Sequence, residues 1–185
     1  MTPSPNALRA LSHPVRLRML GLLRHEGPAT ATMLAQRLGL NTGSTSFHLR
    51  SLHQHGFIVE DEARGNGRDR WWRAAHQSTR TDPSSESTPE GREAVDAFVQ
   101  SIVVVHTEAL QRAVEELPLL PPEWREASTQ SDRTLKLTPA RAKQLTDTLV
   151  DLIASWDEDD DAEVGFTVQI HAFPRPGTVG VGGDG

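Results

Sequence analysis

Three histidines fall within the segment STSFHLRSLHQHG (residues 44–56), at His48, His53 and His55. Imidazoles that close together could hold zinc, nickel or cobalt, but chelation from one helix needs a pair at i, i+4 on one face. With Thr45 at 0° and about 100° per residue, His48 lies at about 300°, His53 at about 80° and His55 at about 280°. None makes an i, i+4 pair, so they read as helix-edge or surface histidines, His48 and His55 flanking a core. A metal would need ligands from elsewhere, such as His106 and the carboxylates of DEDDDAE at 157–163, and an acidic run past a helix is usually a solvated loop. No metal site and no cofactor are expected.

The same angles gather a different set. Thr45, Leu49 and Leu52 define a buried face, and Gly43, Ser46, Phe47, Arg50 and Gln54 fall between about 100° and 200°, on the opposite side. Ser44 stands beside them on the first turn. Serine bonds bases or phosphates, arginine takes guanine in bidentate fashion, and an apolar group meets a thymine methyl. Gly43 lets a backbone approach closely, and amides at a helix start favour phosphate. Phe47 has two readings, a contact with DNA or packing under the following hairpin.

The elements that must position these residues are legible nearby. NALRALSHPVRLRMLGLLRHEG has apolar residues at helical spacing, which predicts a short helix to about Leu11 and a longer one from Pro14, with Gly27 as a stop. Thr30 suits the cap of a helix with Ala31, Leu34, Ala35 and Leu38 on one face, ended by Gly39. Asn41 suits the cap of the next helix, to about His55, ended by Gly56. Two short helices so closely joined predict a helix-turn-helix. FIVEDEARGNGRDRWWRAA then reads as a hairpin turning at Asn66-Gly67. Pairing outward from that turn sets Arg64 opposite Asp69 and Glu60 opposite Arg73, with Val59, Ala63, Trp72 and Ala74 on the helix-facing side. Arg64, Arg68 and Arg70 near the tip suit a DNA backbone or minor groove.

The bulk composition is compatible with a polyanion partner for the first part only. The net charge is -6, but residues 1–80 hold 11 Lys+Arg against 5 Asp+Glu, and the remainder 8 against 20. A +6 half joined to a -12 half can set its first part on nucleic acid. There is no cysteine, which excludes disulfides, thiolate metal sites and cysteine nucleophiles. No leader pattern or membrane-length apolar run is evident, and a soluble cytoplasmic protein is expected. No nucleophile and base arrangement or phosphate-cradling glycine loop is evident, so no enzyme is expected.

Beyond a polar segment at 77–88, which reads as a linker, Thr88 and Pro89 open a long helix to about Leu117. It carries one apolar stripe of Val95, Phe98, Ile102, Val105 and Ala109, and a neighbouring one of Val99, Val103, Leu110 and Val114. So wide an arc needs cover from two directions, which suits a homodimer interface, the first stripe included, plus contact with its own domain. RTLKL, the helix capped by Thr138, and EVGFTVQIHAF predict strand, helix and strand, a small α+β appendage. Residues 174–185 read as a disordered tail.

These segments resemble the ArsR/SmtB family of winged helix-turn-helix transcriptional regulators over about residues 8–75. LRALSHPVRLRMLGLL is similar to its opening helix, TATMLAQRLGL to its first helix-turn-helix element, STSFHLRSLHQHGFIVED to its recognition helix and first wing strand, and RGNGRDRWWR to its wing. The resemblance implies a homodimer on an inverted-repeat operator that releases DNA on binding an effector, with Ser46 and Phe47 facing DNA and a hairpin arginine on phosphate. It does not extend to thiolate sensing, since cysteine is absent, and the region after residue 89 is longer than the single closing helix of small members. The expectation is therefore an α+β, mainly helical chain. It comprises a DNA-binding winged helix-turn-helix at 5–76, a linker at 77–88, a C-terminal dimerisation region at 89–173 with room for an effector, and the tail at 174–185. The alternative from another class is a protein-interaction module that uses the winged helix and the acidic half without specific DNA binding.

Overall fold

The computed structural model describes residues 3–64, 69–77, 79 and 88–180. Asn66, Gly67 and Arg68 at the expected hairpin tip, most of the expected linker and the end of the expected tail lie outside these. The chain divides into two compact units, Met1–Leu120 and Pro121–Gly185. No helix among the described residues is long and apolar enough to cross a membrane.

In the first unit, α1 (Pro5–Leu11) and α2 (Pro14–His25) each begin on proline, capped by Ser4 and His13. Proline suits this place because it lacks only an N–H that the helix leaves unpaired. Strand β1 (Ala29–Thr30) leads into α3 (Ala31–Leu38), where the Thr30 hydroxyl accepts from the Met33 amide at 3.3 Å. Gly39 closes α3 in the left-handed conformation at φ 65°, where a side chain would be strained. Helix α4 (Thr42–Gln54) follows, with Asn41 Oδ1 accepting from the Ser44 amide at 2.8 Å. The helices and stops expected from the sequence are those that form.

Strands β2 (Ile58–Glu60) and β3 (Trp71–Ala74) pair antiparallel, and β1 joins the far edge of β3 to give the order β1-β3-β2. The register corrects the expected one. Ile58 pairs with Ala74, Val59 with Arg73 and Glu60 with Trp72, one residue away from the pairing that set Glu60 opposite Arg73. A one-residue shift exchanges faces: Ile58 and Trp72 are buried together, and Val59 lies on the other side. Core burial sets this register, because the alternative would bring Val59 inward and turn Ile58, fully buried here, out to water. The two-strand reading also missed β1, a two-residue strand too short to show alternation.

Helix α5 (Pro89–Glu116) is capped by Thr88 and lies on α1 and α2. Its residues Ala94, Val95 and Phe98 are buried with Leu8, Leu11, Met19, Leu20, Leu49, Leu52 and Phe57 in one core. Arg9 Nη2 donates to the Glu90 carbonyl at 3.1 Å, and Arg18 pairs with the Glu108 carboxylate. A short 3-10 turn at Leu117–Leu119 ends this unit.

The second unit contains α6 (Pro122–Ala127) and α7 (Pro139–Ala154), the latter capped by Thr138 as expected. The strands expected at 133–137 and 163–173 do not form: both segments are without strand pairing. A strand is completed only by a neighbour that takes its N–H and C=O groups. Neither segment has that neighbour, and no described residue in this unit is buried.

Candidate nucleic-acid interface

Helix α4 is held from behind. Thr45, Leu49 and Leu52 are buried as the helical angles require, and the Thr45 hydroxyl donates to the Asn41 carbonyl at 3.1 Å. Truncating a leucine in such a setting costs about 2–5 kcal/mol, so the helix cannot rotate on its bed without a large penalty. Its other side is open. Gly43, Phe47, Arg50 and Gln54 are exposed, and Ser44 and Ser46 are half-buried. A Cβ built on Gly43 would approach Asn41 Oδ1 at 3.4 Å, ordinary contact, so the fold itself does not demand glycine there.

Phe47 is 59% exposed, with its ring edge against His48 at a centroid distance of 5.6 Å. The reading that packed it under the hairpin does not fit so open a ring. Arg50 is exposed and makes no ion pair among the described residues.

The histidines have separate occupations. His53 Nδ1 is 3.2 Å from the Ile58 carbonyl with its ring on Trp72, and His55 Nδ1 is 2.8 Å from the Ser51 carbonyl. His48, expected at the helix edge, is buried because His13 covers it, ring to ring at 4.6 Å. Its Nδ1 lies buried and without a hydrogen bond. Burial holds the His48 pKa below the ordinary 6.5, and His13 and Arg16 push it further down. His13 shifts the same way, through burial first and Arg16 second, while its Nδ1 accepts from the Val15 amide at 3.2 Å to cap α2.

The hairpin arginines are less free than their positions suggested. Arg70 pairs with Glu60 at 3.2 Å and lies over Trp72, while Arg64 is 3.8 Å from Asp61 and lies over Trp71. Each guanidinium is thus oriented by an acid and an indole of its own hairpin. Arg68 lies outside the described residues. Asn41 and Thr42 are exposed at the start of α4, Asn41 as its cap and Thr42 as its first helical residue.

Helices α3 and α4 across a tight turn, α2 beneath them, and a three-stranded antiparallel sheet ending in a hairpin define a winged helix-turn-helix. Residues 11–61 match the family described as a helix-turn-helix domain. Among solved structures, the chain is similar to a mutant of Lactococcus lactis ZitR in apo form, at 16% identity and TM-score 0.35, over 77% of this chain and 82% of that one. It is also similar to the transcriptional regulator Tm0710 from Thermotoga maritima, at 13% identity and TM-score 0.31, over 77% and 74%. No curated protein matches the chain.

Proposed function

We propose that the chain is a sequence-specific DNA-binding transcriptional regulator, a dimeric repressor that lays α4 in the major groove of an inverted-repeat operator with hairpin 58–74 as wing. The observation that carries this is the outer face of α4. Gly43, Phe47, Arg50 and Gln54 stand exposed on a helix whose inner face is locked in the core. The Phe47 ring, 59% exposed, and the Arg50 guanidinium stand on the same side of this helix, open to a ligand. Arg50 supplies base or phosphate contact, Ser44 and Ser46 hydrogen bonds, Phe47 an apolar surface for a thymine methyl, and Gly43 a close backbone.

The dimer contact is assigned to α5. Of the residues expected there, Val95 and Phe98 are spent on the chain's own core, while Ile102, Val105 and Ala109 are half-buried. The neighbouring stripe of Val99, Val103, Leu110 and Val114 is 41–48% exposed, and this is the face offered to a second copy. Two copies would then present two α4 helices to half-sites one helical turn apart.

The test is selection of bound sequences from a random DNA pool, followed by titration of the winner. An inverted repeat should be enriched, with affinity falling steeply as salt rises. Enrichment of no sequence would overturn this reading in favour of a protein-interaction module.

A further inference from the structure

At the start of α2, His13 lies ring to ring with His48 of α4, the centroids 4.6 Å apart. Each imidazole is held in a form that has no place for a second proton. The Nδ1 of His13 accepts from the Val15 amide, so it cannot carry a hydrogen while it caps α2. The Nδ1 of His48 is buried without a hydrogen-bond partner, so a proton there would make a charged ring with a buried donor and no acceptor. The surroundings act in the same direction. Arg16 of α2 opposes a positive charge on both rings, Arg18 opposes one on His13, and the Arg16 Nε is itself buried and unpartnered. Acids on the neighbouring elements are engaged elsewhere: Glu108 of α5 with Arg18, Glu93 of α5 with Arg9 of α1, Glu26 with Arg37 of α3, and Glu60 of β2 with Arg70.

We propose that the His13–His48 contact is a proton-sensitive junction between α2 and α4, and that acid opens it and releases the operator. The regulation rests on α4 being the reading helix, as proposed above. A first proton either removes the α2 cap or strands a charged donor in the seam between the helices. The two rings then oppose a second proton across their short separation, so they titrate as a pair. Parting the rings relieves this, and it moves His48 together with the adjacent Phe47, whose ring edge rests on His48 at 5.6 Å. A histidine that only lay beside DNA phosphate would act with the opposite sign, strengthening binding as it became charged.

Two measurements test this. In the free full-length chain, imidazole and amide resonances are followed by NMR from about pH 7.5 to about 5.5. Both rings should titrate below 6.5, and the Val15 amide should shift with them. A Val15 amide that stays still while His13 titrates would overturn the junction, and this measurement needs no DNA. With the selected operator, binding is titrated at constant ionic strength and at a temperature where melting curves show the chain folded at each pH. Affinity should fall about tenfold over the same range, the full effect of one imidazole of ordinary pKa that binding keeps neutral. The double variant His13→Asn, His48→Gln, in which asparagine can still cap α2, should lose no more than about twofold. Wild-type affinity that holds or rises in acid, or an equal loss in the double variant, would overturn the release. Enrichment of no operator would overturn the reading of α4 and the release with it, while the Val15 titration would still decide the junction.

Discussion

The exposed ring of Phe47 and the buried ring of His48 are adjacent in sequence and opposite in consequence. Phe47→Ala removes no core contact beyond the edge it rests on His48, so it should leave thermal stability within about 0.5 kcal/mol while operator affinity falls roughly tenfold. Arg50→Ala should do the same, with a shallower salt dependence if the guanidinium meets phosphate. A titration of both variants beside their melting curves checks this, and unchanged affinity in both would remove α4 from the reading surface. Gly43→Ala discriminates further. The helix gains up to about 1 kcal/mol from the better helix former, and the Cβ meets nothing closer than 3.4 Å, so weaker binding there would have to come from a displaced DNA backbone. His48 and His13 both have folded pKa values below the ordinary 6.5. For a depressed pKa the unfolded chain takes up protons first, so the stabilisation is complete above about 6.5 and is lost as pH falls towards the folded values. Melting temperatures measured from pH 7.5 down to 5.5 should decline, and His48→Gln should flatten the decline.

At the scale of elements, the ends of the helices are the most legible part of the chain. Thr30, Asn41, Thr88 and Thr138 cap the helices that their positions announced, since a cap is a local bond between a side chain and an amide two or three residues on. Asn41→Ala should cost about 1 kcal/mol and fray the first turn of α4, where Gly43 and Ser44 sit; amide hydrogen exchange at Ser44 and Thr45 would detect it. The hairpin was harder. Its turn dipeptide and alternation suggested a tight pairing, yet β2 stops at Glu60 and β3 starts at Trp71, with the register shifted by one. Two registers that differ by one residue are both plausible on paper, and the choice falls to whichever residues the helices can bury. The same burial redirected Arg70 to Glu60.

Within the first unit, α5 is tied to the opening helices by ion pairs as well as by the core. Arg9 reaches Glu90 and Glu93, and Arg18 reaches Glu108, so the basic opening helices are latched to the acidic part of the long helix. Arg18 and Glu108 are about one-third exposed, which limits the pair to about 1 kcal/mol. Glu108→Gln should therefore lower the melting temperature slightly, and any larger effect on operator affinity would mark α5 as a lever on α2. The exposed stripe of α5 makes a separate prediction. Val103→Asp should shift sedimentation from dimer towards monomer and weaken operator binding together, while leaving the core of the first unit intact, because Val103 is 45% exposed.

What the sequence by itself determined is therefore whatever is encoded locally. This includes the caps and stops, the helical spacing, the face of α4 that carries Gly43, Ser46, Phe47, Arg50 and Gln54, and the asymmetry of charge between the two halves. These depend on bonds and angles within a few residues. The tertiary structure decided what depends on partners distant in the chain. It covered His48 with His13, spent Val95 and Phe98 on the core, and recruited β1 to the sheet. It also engaged the hairpin arginines with their own acids and left the second unit without a core of its own. In each case the deciding term is burial or pairing against a surface that no neighbouring residue supplies.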